Sequence, residues 1–343
     1  MPVFFGLRFD LRNPDIAGTP LADRYEAALD IAEWADQLGC VSIGLSEHHA
    51  SPDQYIPSPL VMVAAMVSRT RNVRFSVGAL LAPFYEPVRL AEDMVVLDHL
   101  SRGRVDLIVA GGYVPEEFAM FGVPPNERGR RVTEVVRVLR GAFSGEPFEF
   151  RGRTVHITPG PYRPGGPSIM LGGTTEPAAR RAARIADGFV PSDPGAWEFY
   201  RDEMQKLGRP DPGPQQTGLG ATVALAEDKE KGWEQMAPFF LHETNAYGAW
   251  AQPGVPSPYR VMKDVDELRE SGLYEVVTPD EFIADLKSRP VPFAFFHPLC
   301  GGMPPDIAWS SLRLFEREVM PRSRTHDRRR RAEVGGAARR DAR

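Results

Sequence analysis

Cysteine is scarce in this chain, because its 343 residues include only Cys40 and Cys300. Two thiols cannot build a disulfide framework or a cysteine metal site, and such scarcity is typical of a reducing cytoplasm. Long apolar runs are also missing, since none approaches the ~20 residues that a membrane span needs. Residues 1–5 read as the start of a strand and lack the positive charge of a secretory signal. We therefore expect a cytoplasmic protein with no membrane partner.

Motifs of metal enzymes and serine hydrolases are absent too. The seven histidines include no His-x-His or His-x-x-x-His pair, and no Gly-x-Ser-x-Gly elbow occurs. His48 and His49 are adjacent, and neighbouring residues of a strand point to opposite faces, so the two cannot easily bind one metal ion. The sequence thus predicts no metal site and argues against a Ser-His-Asp hydrolase.

Negative charge exceeds positive charge over most of the chain. The net charge is -5, yet residues 322–343 contain nine arginines against three acids and so carry +6, which leaves -11 for residues 1–321. An acidic folded part argues against a nucleic-acid partner. We expect residues 1–321 to form one domain and the basic residues 322–343 to be a disordered tail, since they have too few apolar side chains to pack.

Apolar periodicity predicts eight strands that alternate with helices. Two stretches interrupt the alternation. Residues 148–157 predict a hairpin after the fourth strand, and residues 241–273, which contain Tyr247, Trp250 and several prolines, predict a lid-like insertion after the seventh. The alternation indicates an α/β fold, a closed parallel (β/α)8 barrel rather than an open sheet. The predicted strands are residues 3–10, 41–45, 73–77, 104–110, 168–171, 188–191, 217–225 and 292–297.

The second predicted strand runs directly into an acid and two imidazoles, because residues 41–45 are followed by Ser46-Glu47-His48-His49. In parallel barrels the carboxyl ends of the strands carry the active site, since the loops there converge on one mouth. A histidine side chain titrates near neutral pH, which suits proton transfer. We predict that His48 is catalytic and that Glu47 is structural. The alternative is a histidine whose hydrogen bonds are satisfied in an ordinary turn.

Glycine-rich turns after two other strands predict a cofactor site. The run Gly172-Gly173-Thr174-Thr175 leads from a strand into a helix, where free N–H groups, hydroxyls and the helix dipole can bind a phosphate. Gly111 and Gly112 end the fourth strand and allow a flat ligand to approach the backbone. Neither GxGxxG nor a Walker motif is present, so an ordinary tight turn is the alternative.

Aromatic residues lie at or just beyond several predicted strand ends. They would line an apolar mouth in which a substrate binds, although aromatic residues at such positions also pack in cores. The predicted substrate-binding residues are Phe9, Tyr55, Phe84, Tyr113 and Phe296.

Together these residues resemble the bacterial luciferase-like monooxygenase family, which includes flavin-dependent and deazaflavin (F420)-dependent enzymes. The likeness extends over most of residues 3–320. Its motifs, in chain order, are Ser46-Glu47-His48-His49, Ala82-Pro83 with Pro87-Val88-Arg89 and Glu92, Leu97-Asp98 with Leu100-Ser101 and Gly103-Arg104, Gly172-Gly173-Thr174 with Ala186-Asp187-Gly188, and Gly301-Gly302 with Pro304.

The resemblance implies a TIM barrel of the luciferase-like type and a set of residue roles. His48 matches the active-site histidine after the second strand, and residues 172–175 match the phosphate loop. Gly78 and Ala79 match the segment of the third strand that runs under the flavin ring, often with a cis peptide. Luciferase has a phosphate-binding arginine where this chain has Ala110. Backbone and hydroxyl donors, or another cation, would therefore have to bind the phosphate.

The activity that the resemblance implies is that of a two-component monooxygenase. Reduced FMN would arrive from a separate flavin reductase and react with O2 to oxygenate a small, largely apolar organic substrate, and the protein would be a homodimer. The alternatives are an F420-dependent oxidoreductase, which transfers hydride without O2, and a flavin-binding relative that has lost catalysis. The Glu47-His48-His49 form favours FMN.

Truncation after Pro321 should leave turnover unchanged, because residues 322–343 offer no apolar stripe with which to dock and an exposed run of charge is usually solvated. The measurement compares steady-state turnover and circular dichroism of the truncated and full-length proteins. A large loss of activity with unchanged folding would instead assign the tail a part in the site or in binding a partner.

Overall fold

The computed structural model of the protein describes residues 3–215, 221–289 and 293–322. Its strands are β1 Phe4–Phe9, β2 Ser42–Leu45, β3 Arg74–Leu81, β4 Val105–Ala110, β5 Phe148–Phe150, β6 Arg153–Val155, β7 Ile169–Gly173, β8 Gly188–Pro191, β9 Thr222–Leu225, β10 Tyr274–Val277 and β11 Phe293–Phe296. Its helices are α1 Leu21–Leu38, α2 Pro59–Arg69, α3 Pro87–Ser101, α4 Pro115–Met120, α5 Arg128–Phe143, α6 Glu176–Ile185, α7 Ala196–Lys206, α8 Lys229–Ala249, α9 Val265–Glu270, α10 Pro279–Ser288 and α11 Pro305–Leu314, which continues as a π-helix over Phe315–Val319. In this part of the chain no helix has both the length and the apolar character needed to cross a bilayer.

Seven strands form one parallel sheet in the order β11-β1-β2-β3-β4-β7-β8. From β1 to β8 this order follows the chain, with only the hairpin of β5 and β6 left out. Because all seven strands point the same way, the residues that follow them meet at one edge of the sheet. The parallel α/β fold predicted from the sequence is thereby confirmed, and the loops after β2, β4 and β7 become neighbours.

The seventh predicted strand does not join this sheet. β9 pairs in parallel with β10, a strand that the apolar pattern did not predict, and Thr222 lies opposite Tyr274. Residues 217–220 of the predicted strand and Pro292 of the eighth lie outside the described residues. Where the structure describes the chain, the hydrogen-bonded sheet contains seven of the eight expected strands, because β10 satisfies the backbone groups of β9.

The two expected insertions differ in how closely they follow the sequence pattern. β5 and β6 form the antiparallel hairpin predicted within residues 148–157. In residues 241–273, α8 continues to Ala249, an irregular segment follows, and α9 spans Val265–Glu270. The helix α8 is capped by the Asp228 carboxylate, which accepts a hydrogen bond from the Lys231 N–H at 3.0 Å. Because α8 reaches Ala249 and α9 begins at Val265, the irregular part of the second insertion is shorter than the sequence pattern predicted.

The main core lies between the sheet and its helices. Phe5 points towards the helices, where its ring centroid lies 6.3 Å from that of Trp34 and 5.1 Å from that of Phe315. Side chains alternate along a strand, so the opposite face carries the intervening residues. On β1, β2 and β3 these are small or polar and half-buried: Arg8, Ser42, Gly44, Ser76 and Gly78. No large apolar side chain from these five positions covers that face, so polar groups of the following loops and helices can pack there.

A buried carboxylate joins α1 to the start of β3. Asp36 accepts three backbone hydrogen bonds, at 2.8, 2.7 and 2.6 Å, from residues 71–73. Burial alone would raise the pKa of Asp36, but these hydrogen bonds and the nearby charge of Arg104 outweigh burial and lower the pKa. The ionised form of Asp36 therefore stabilises the fold.

Asp36→Ala should lower the free energy of unfolding by about 2–4 kcal/mol, because three buried N–H groups lose their acceptor. The folded-state pKa of Asp36 lies below the unfolded one. Its stabilisation is therefore complete above the ordinary carboxyl pKa of about 4 and is lost as the pH falls through the lowered pKa. Urea unfolding of parent and variant at neutral and acidic pH measures both effects.

The control is Asp30→Ala, because Asp30 lies on the same helix but is exposed and forms a surface ion pair with Arg69 at 2.6 Å. Such pairs contribute at most about 1 kcal/mol. An equal loss of stability in both variants would contradict the role assigned to Asp36.

Candidate active site

His48 lies in the loop after β2 and is oriented by a buried carboxylate from α4. The Nδ1–H of His48 donates to Oε1 of Glu117 at 2.8 Å, and the same oxygen accepts the backbone N–H of His49, also at 2.8 Å. A carboxylate can only accept, so this pairing assigns the proton to Nδ1 and leaves Nε2 available to a ligand. Nε2 has no hydrogen-bond partner among the described residues and is not enclosed. Glu117, which the sequence pattern did not single out, is thus a positioning residue.

Four aromatic rings surround the imidazole of His48. Their centroids lie 5.0 Å (Tyr55), 5.7 Å (Tyr113), 6.0 Å (Tyr247) and 4.4 Å (Trp250) from its own. Tyr55 and Tyr113 were predicted at this mouth. Tyr247 and Trp250 come from the insertion whose place in the fold the sequence left open. Rings from three separate segments therefore exclude water around one face of the histidine.

The other predicted aromatic residues lie elsewhere. Phe296 packs in the core against Phe5 and Phe315, with centroid distances of 6.4 and 4.9 Å. Phe9 is 1% exposed, and because it follows Phe5 by four residues on the same strand, the two side chains point to the same face of the sheet. The alternation of side chains turns Phe9 and Phe296 towards the helices, so neither lines the mouth. The ring centroid of Phe84 lies 5.7 Å from that of His49, so Phe84 is next to His49 rather than beside His48.

Glu47 ties the end of β2 to the end of β3. Its carboxylate accepts hydrogen bonds from the Leu81 N–H at 2.8 Å, from the Tyr85 hydroxyl at 2.8 Å and from Nε2 of His49 at 3.0 Å. Burial and the nearby Glu47 carboxylate raise the pKa of Tyr85, which keeps that hydroxyl protonated as a donor. Every donor to Glu47 comes from the protein itself, which supports the structural role expected of it.

The segment Gly78-Ala79 bends β3 at the same edge of the sheet. The register between β3 and β4 shifts between Val77 and Leu80, and Ala79 has a φ of 56°. The cis peptide implied by the resemblance is not present at this position, because the cis bond in the described residues is Thr158–Pro159. A bulge with a left-handed residue makes the bend instead.

The predicted phosphate loop lies at the start of α6. Thr175 is the N-cap residue, and its hydroxyl makes no capping hydrogen bond, so it is available to a ligand. A Cβ added to Gly173 would lie 2.7 Å from the Cβ of Ala178. Gly173 is therefore required for the packing of β7 against α6.

Two arginines that the sequence analysis did not name lie near this loop and near Gly111. A Cβ built on Gly111 would be 3.8 Å from Cδ of Arg128, and the guanidinium of Arg181 lies directly against Gly129 in the first turn of α5. Neither arginine forms an ion pair or hydrogen bond with a residue that the structure describes. Burial, with the charges of Arg184 and Arg128, lowers the pKa of Arg181. Two unpaired positive charges near the N-terminus of α5 favour the binding of an anion.

Arg181 borders a groove of about 510 Å³ between α5 and α6, whose walls also include Thr133, Glu176, Arg180 and Arg184. None of the residues that line this groove is His48 or one of the four rings around it. Aromatic side chains fill the mouth around the histidine. The structure therefore separates a cationic region at α5 and α6 from an aromatic region at His48.

A second buried polar cluster consists of Glu243, His297 and Cys300, whose donor atoms lie within 4.8 Å of one another. Three such donors could hold a metal ion. However, Glu243 forms an ion pair with Arg8 and accepts hydrogen bonds from Tyr274 at 2.7 Å and Cys300 at 2.8 Å. Burial would raise the pKa of Glu243, but the charges of Arg8 and His297 outweigh it and lower the pKa. Arg8 supplies the positive charge that a metal would otherwise bring, so this cluster is an internal ion network.

Arg12 lies behind the aromatic rings and is wholly buried. Its Nε–H donates to Asp10 at 3.1 Å, and it forms a second ion pair with Asp53. Its guanidinium carbon lies 4.5 and 4.6 Å from the ring centroids of Tyr55 and Tyr247. Cation–π contacts and two carboxylates together offset the cost of burying this charge.

Comparison with known proteins places this α/β chain in a family. A model of the luciferase-like monooxygenases matches residues 2–282. The protein belongs to the luciferase-like monooxygenase family, which confirms the resemblance seen in its motifs.

Relatives of known activity share part of the chain. The 4-hydroxyprotoasukamycin monooxygenase of Streptomyces nodosus subsp. asukaensis is 28% identical over 251 residues, which cover 66% of each chain. The limonene 1,2-monooxygenase of Rhodococcus erythropolis is 24% identical over 76% of this chain and 70% of its own. The oxygenase component of a flavin-dependent trigonelline monooxygenase of Acinetobacter baylyi is 28% identical over 37% of this chain and 36% of its own.

Solved structures extend the likeness over nearly the whole chain. Monooxygenase RslO1 from Streptomyces bottropensis has a TM-score of 0.67 at 23% identity, with 94% of this chain and 99% of that chain covered. The oxygenating constituent of 3,6-diketocamphane monooxygenase from Pseudomonas putida, in complex with FMN, has a TM-score of 0.67 at 20% identity, with 94% and 98% covered. An F420-dependent secondary alcohol dehydrogenase has a TM-score of 0.64 at 16% identity, with 94% and 99% covered. At these identities the likeness shows the fold alone.

Glu117→Ala should release the imidazole of His48, because Nδ1 and the backbone N–H of His49 both lose their acceptor. Nitrogen-15 NMR of histidine-labelled protein reports which ring nitrogen carries the proton. We expect the parent to show His48 protonated at Nδ1 and the variant to lose this preference. Glu117→Gln retains an acceptor oxygen and should keep it. An unchanged His48 tautomer in Glu117→Ala would contradict the positioning role.

Proposed function

We propose that the protein is a flavin-dependent monooxygenase that uses reduced FMN and O2 to oxygenate a small, largely apolar organic substrate. The observation that carries this proposal is His48, whose free Nε2 lies among aromatic rings at the carboxyl edge of a parallel sheet and whose Nδ1 is held by Glu117. Such a histidine can exchange a proton with a ligand in a site that excludes water.

The fold that we propose for the whole chain is the luciferase-like (β/α)8 barrel, with insertions after its fourth and seventh strands. The seven-stranded sheet would supply seven barrel strands and β9 the remaining one. This is supported by the packing of β9 on α11, where the Leu225 N–H donates to the Ser311 hydroxyl at 2.7 Å. The single domain would span residues 1–321.

The cofactor phosphate would be held where the cationic region meets the glycine turns. Arg128 and Arg181 would supply unpaired positive charge, Thr174 and Thr175 would supply hydroxyls, and Gly172 and Gly173 at the end of β7 would let the phosphate approach the backbone. These arginines fill the role that Ala110 leaves vacant. Gly78, Ala79, Gly111 and Gly112 would let the flavin ring approach the backbone.

The chain's own residues would prepare the site for chemistry that the cofactor supplies. Reduced flavin provides the electrons that activate O2. His48 would hold or deliver a proton through Nε2, and Glu117 would keep its ring in place. Tyr55 and Tyr113 would bind the substrate beside the histidine and keep water away. Phe84 would support this wall through its contact with His49.

A second candidate is an F420-dependent oxidoreductase, since one structural neighbour is an F420-dependent alcohol dehydrogenase. The unpaired arginines would suit the phosphate of either cofactor. A non-catalytic flavin-binding relative would have no use for an oriented histidine, which argues against that alternative.

The partners that we propose follow from the proposal that the cofactor is reduced FMN. A separate reductase would supply reduced flavin, because one relative is named as an oxygenase component. We also propose that the protein is a homodimer. We propose that this homodimer is cytoplasmic.

Titration with FMN, reduced FMN and F420 tests the cofactor, and binding of F420 alone would overturn the FMN proposal. Arg128→Ala and Arg181→Ala should each weaken FMN binding about 10–100-fold, since a hydrogen bond to a charged phosphate contributes roughly 1.5–3 kcal/mol. Riboflavin lacks the phosphate, so its affinity should not change.

Arg140→Ala is the matched control on α5, because Arg140 is paired with Asp187 at 2.6 Å. Its FMN affinity should equal that of the parent. Parental FMN affinity in both Arg128→Ala and Arg181→Ala would remove these residues from the cofactor site.

His48→Ala should lower product formation about 100- to 10,000-fold, which is the usual contribution of general acid or base assistance. Flavin affinity should change less, because the arginines and the α6 loop lie elsewhere. If His48 protects the activated oxygen, the variant should also release more hydrogen peroxide per reduced flavin consumed. Product and peroxide are measured together under single turnover.

His99→Ala is the control, since His99 is exposed on α3 and, among the residues that the structure describes, its ring contacts the Gly160 carbonyl and the exposed ring of Tyr162. Parental product yield with parental peroxide release in His48→Ala would refute the catalytic role.

A further inference from the structure

The ring that lies closest to His48 belongs to Trp250. Its centroid is 4.4 Å from that of the imidazole, with the two planes tilted by only 34°. The guanidinium carbon of Arg12 lies 5.0 Å from the centroid of the Trp250 ring. The indole thus occupies a slot bordered by an imidazole and a buried cation, both of which favour a planar electron-rich ring.

The neighbouring rings are anchored more firmly than Trp250. The hydroxyls of Tyr55 and Tyr247 are hydrogen-bonded at 2.9 Å, and Tyr247 stacks on Tyr259 with centroids 4.6 Å apart. The indole N–H of Trp250 has no partner in the described part of the chain. By contrast, the indole of Trp34 donates to Glu316 at 3.1 Å.

Trp250 lies at the junction between a helix and an irregular segment. Trp250 directly follows α8 and begins the irregular segment 250–264. That segment is attached to α8 further along, where Asn245 makes two hydrogen bonds with the backbone of Met262 at 3.1 and 2.7 Å. Between these points most of residues 251–258 are exposed. The Trp250 N–H donates to the Tyr247 carbonyl at 3.1 Å, so the indole would leave its slot by rotation of the side chain rather than by movement of the backbone.

We propose that the indole of Trp250 occupies a slot that a planar aromatic ring of a ligand takes when the site is loaded. Arg12 supports this, because its second terminal nitrogen is buried without a hydrogen-bond partner and faces no competing protein acceptor. The proposal rests on the site of the proposed function. It names the ligand chemistry at that site, a planar aromatic ring, which either the flavin or an aromatic substrate could supply.

A side chain that must leave before a ligand enters reduces the apparent affinity by the fraction of protein in the open form. Removing it should therefore tighten binding. A side chain that forms a wall of the occupied site has the opposite effect, because its removal loses a contact. An increase in affinity after removal of the side chain therefore indicates a residue that must leave, and a decrease indicates a residue of the wall.

The experiment measures binding of oxidised FMN and of 4-methylphenol to the parent, Trp250→Ala and Tyr113→Ala. Trp250→Ala should bind one of these probes roughly tenfold more tightly, whereas Tyr113→Ala, which loses a wall residue, should bind it more weakly. Tightening for FMN alone assigns the slot to the cofactor, and tightening for the phenol alone assigns it to the substrate. Weaker or unchanged binding of both probes by Trp250→Ala would overturn the proposal.

A second measurement follows ligand binding to the unmutated protein and uses a variant only to assign one signal. Fluorine NMR of protein labelled with 5-fluorotryptophan resolves its five tryptophans, and Trp250→Phe assigns the signal of Trp250. Saturating FMN or 4-methylphenol should shift this signal towards that of a solvent-exposed residue and leave that of Trp34 in place. An unmoved Trp250 signal with bound ligand would refute the proposal while leaving the flavin-dependent function intact. Failure of FMN to bind would instead count against the FMN proposal, and the phenol would still test the slot.

Discussion

The arrangement of the site depends on two buried carboxylates that hold the loop after β2. Glu47 accepts hydrogen bonds from the end of β3, from Tyr85 and from His49, while Glu117 accepts them from His48 and from the backbone of His49. A buried carboxylate is costly unless donors meet it, so each of these acids requires its partners to be correctly placed. The end of β3 and the helix α4 must therefore pack correctly before His48 acquires its orientation.

A similar constraint governs the polar side of the mouth. Arg8 and Arg12 come from or just after β1, and their charges are balanced by Glu243 on α8 and by Asp10 and Asp53. These ion pairs attach α8, and with it Tyr247, to the edge of the sheet. Because isolated buried charges are unstable, the ion pairs favour one relative position of strand, loop and helix. The aromatic surroundings of His48 are thus set by charges that do not themselves touch it.

Parallel strand order then places two different regions side by side. The loops after β4 and β7 carry Gly111, Arg128 and the start of α6, whereas the loops after β1 and β2 carry Arg12 and His48. One region carries unpaired arginines, and the other is lined by aromatic rings. This division suits a ligand with an anionic end and a planar end, which is the shape of a flavin nucleotide.

Local sequence determined the strands of the main sheet, the hairpin after β4 and the position of His48 at a strand end, because apolar periodicity and turn residues act over a few neighbours. It also indicated Tyr55 and Tyr113. Tertiary structure alone decided that Phe9 and Phe296 face the core, that β9 pairs with β10, that Glu117 and Trp250 contact His48, and that Arg128 lies near Gly111. Each of these outcomes depends on contacts between segments distant in the chain. No local pattern encodes such contacts, since the partners become neighbours only when the sheet and helices have packed.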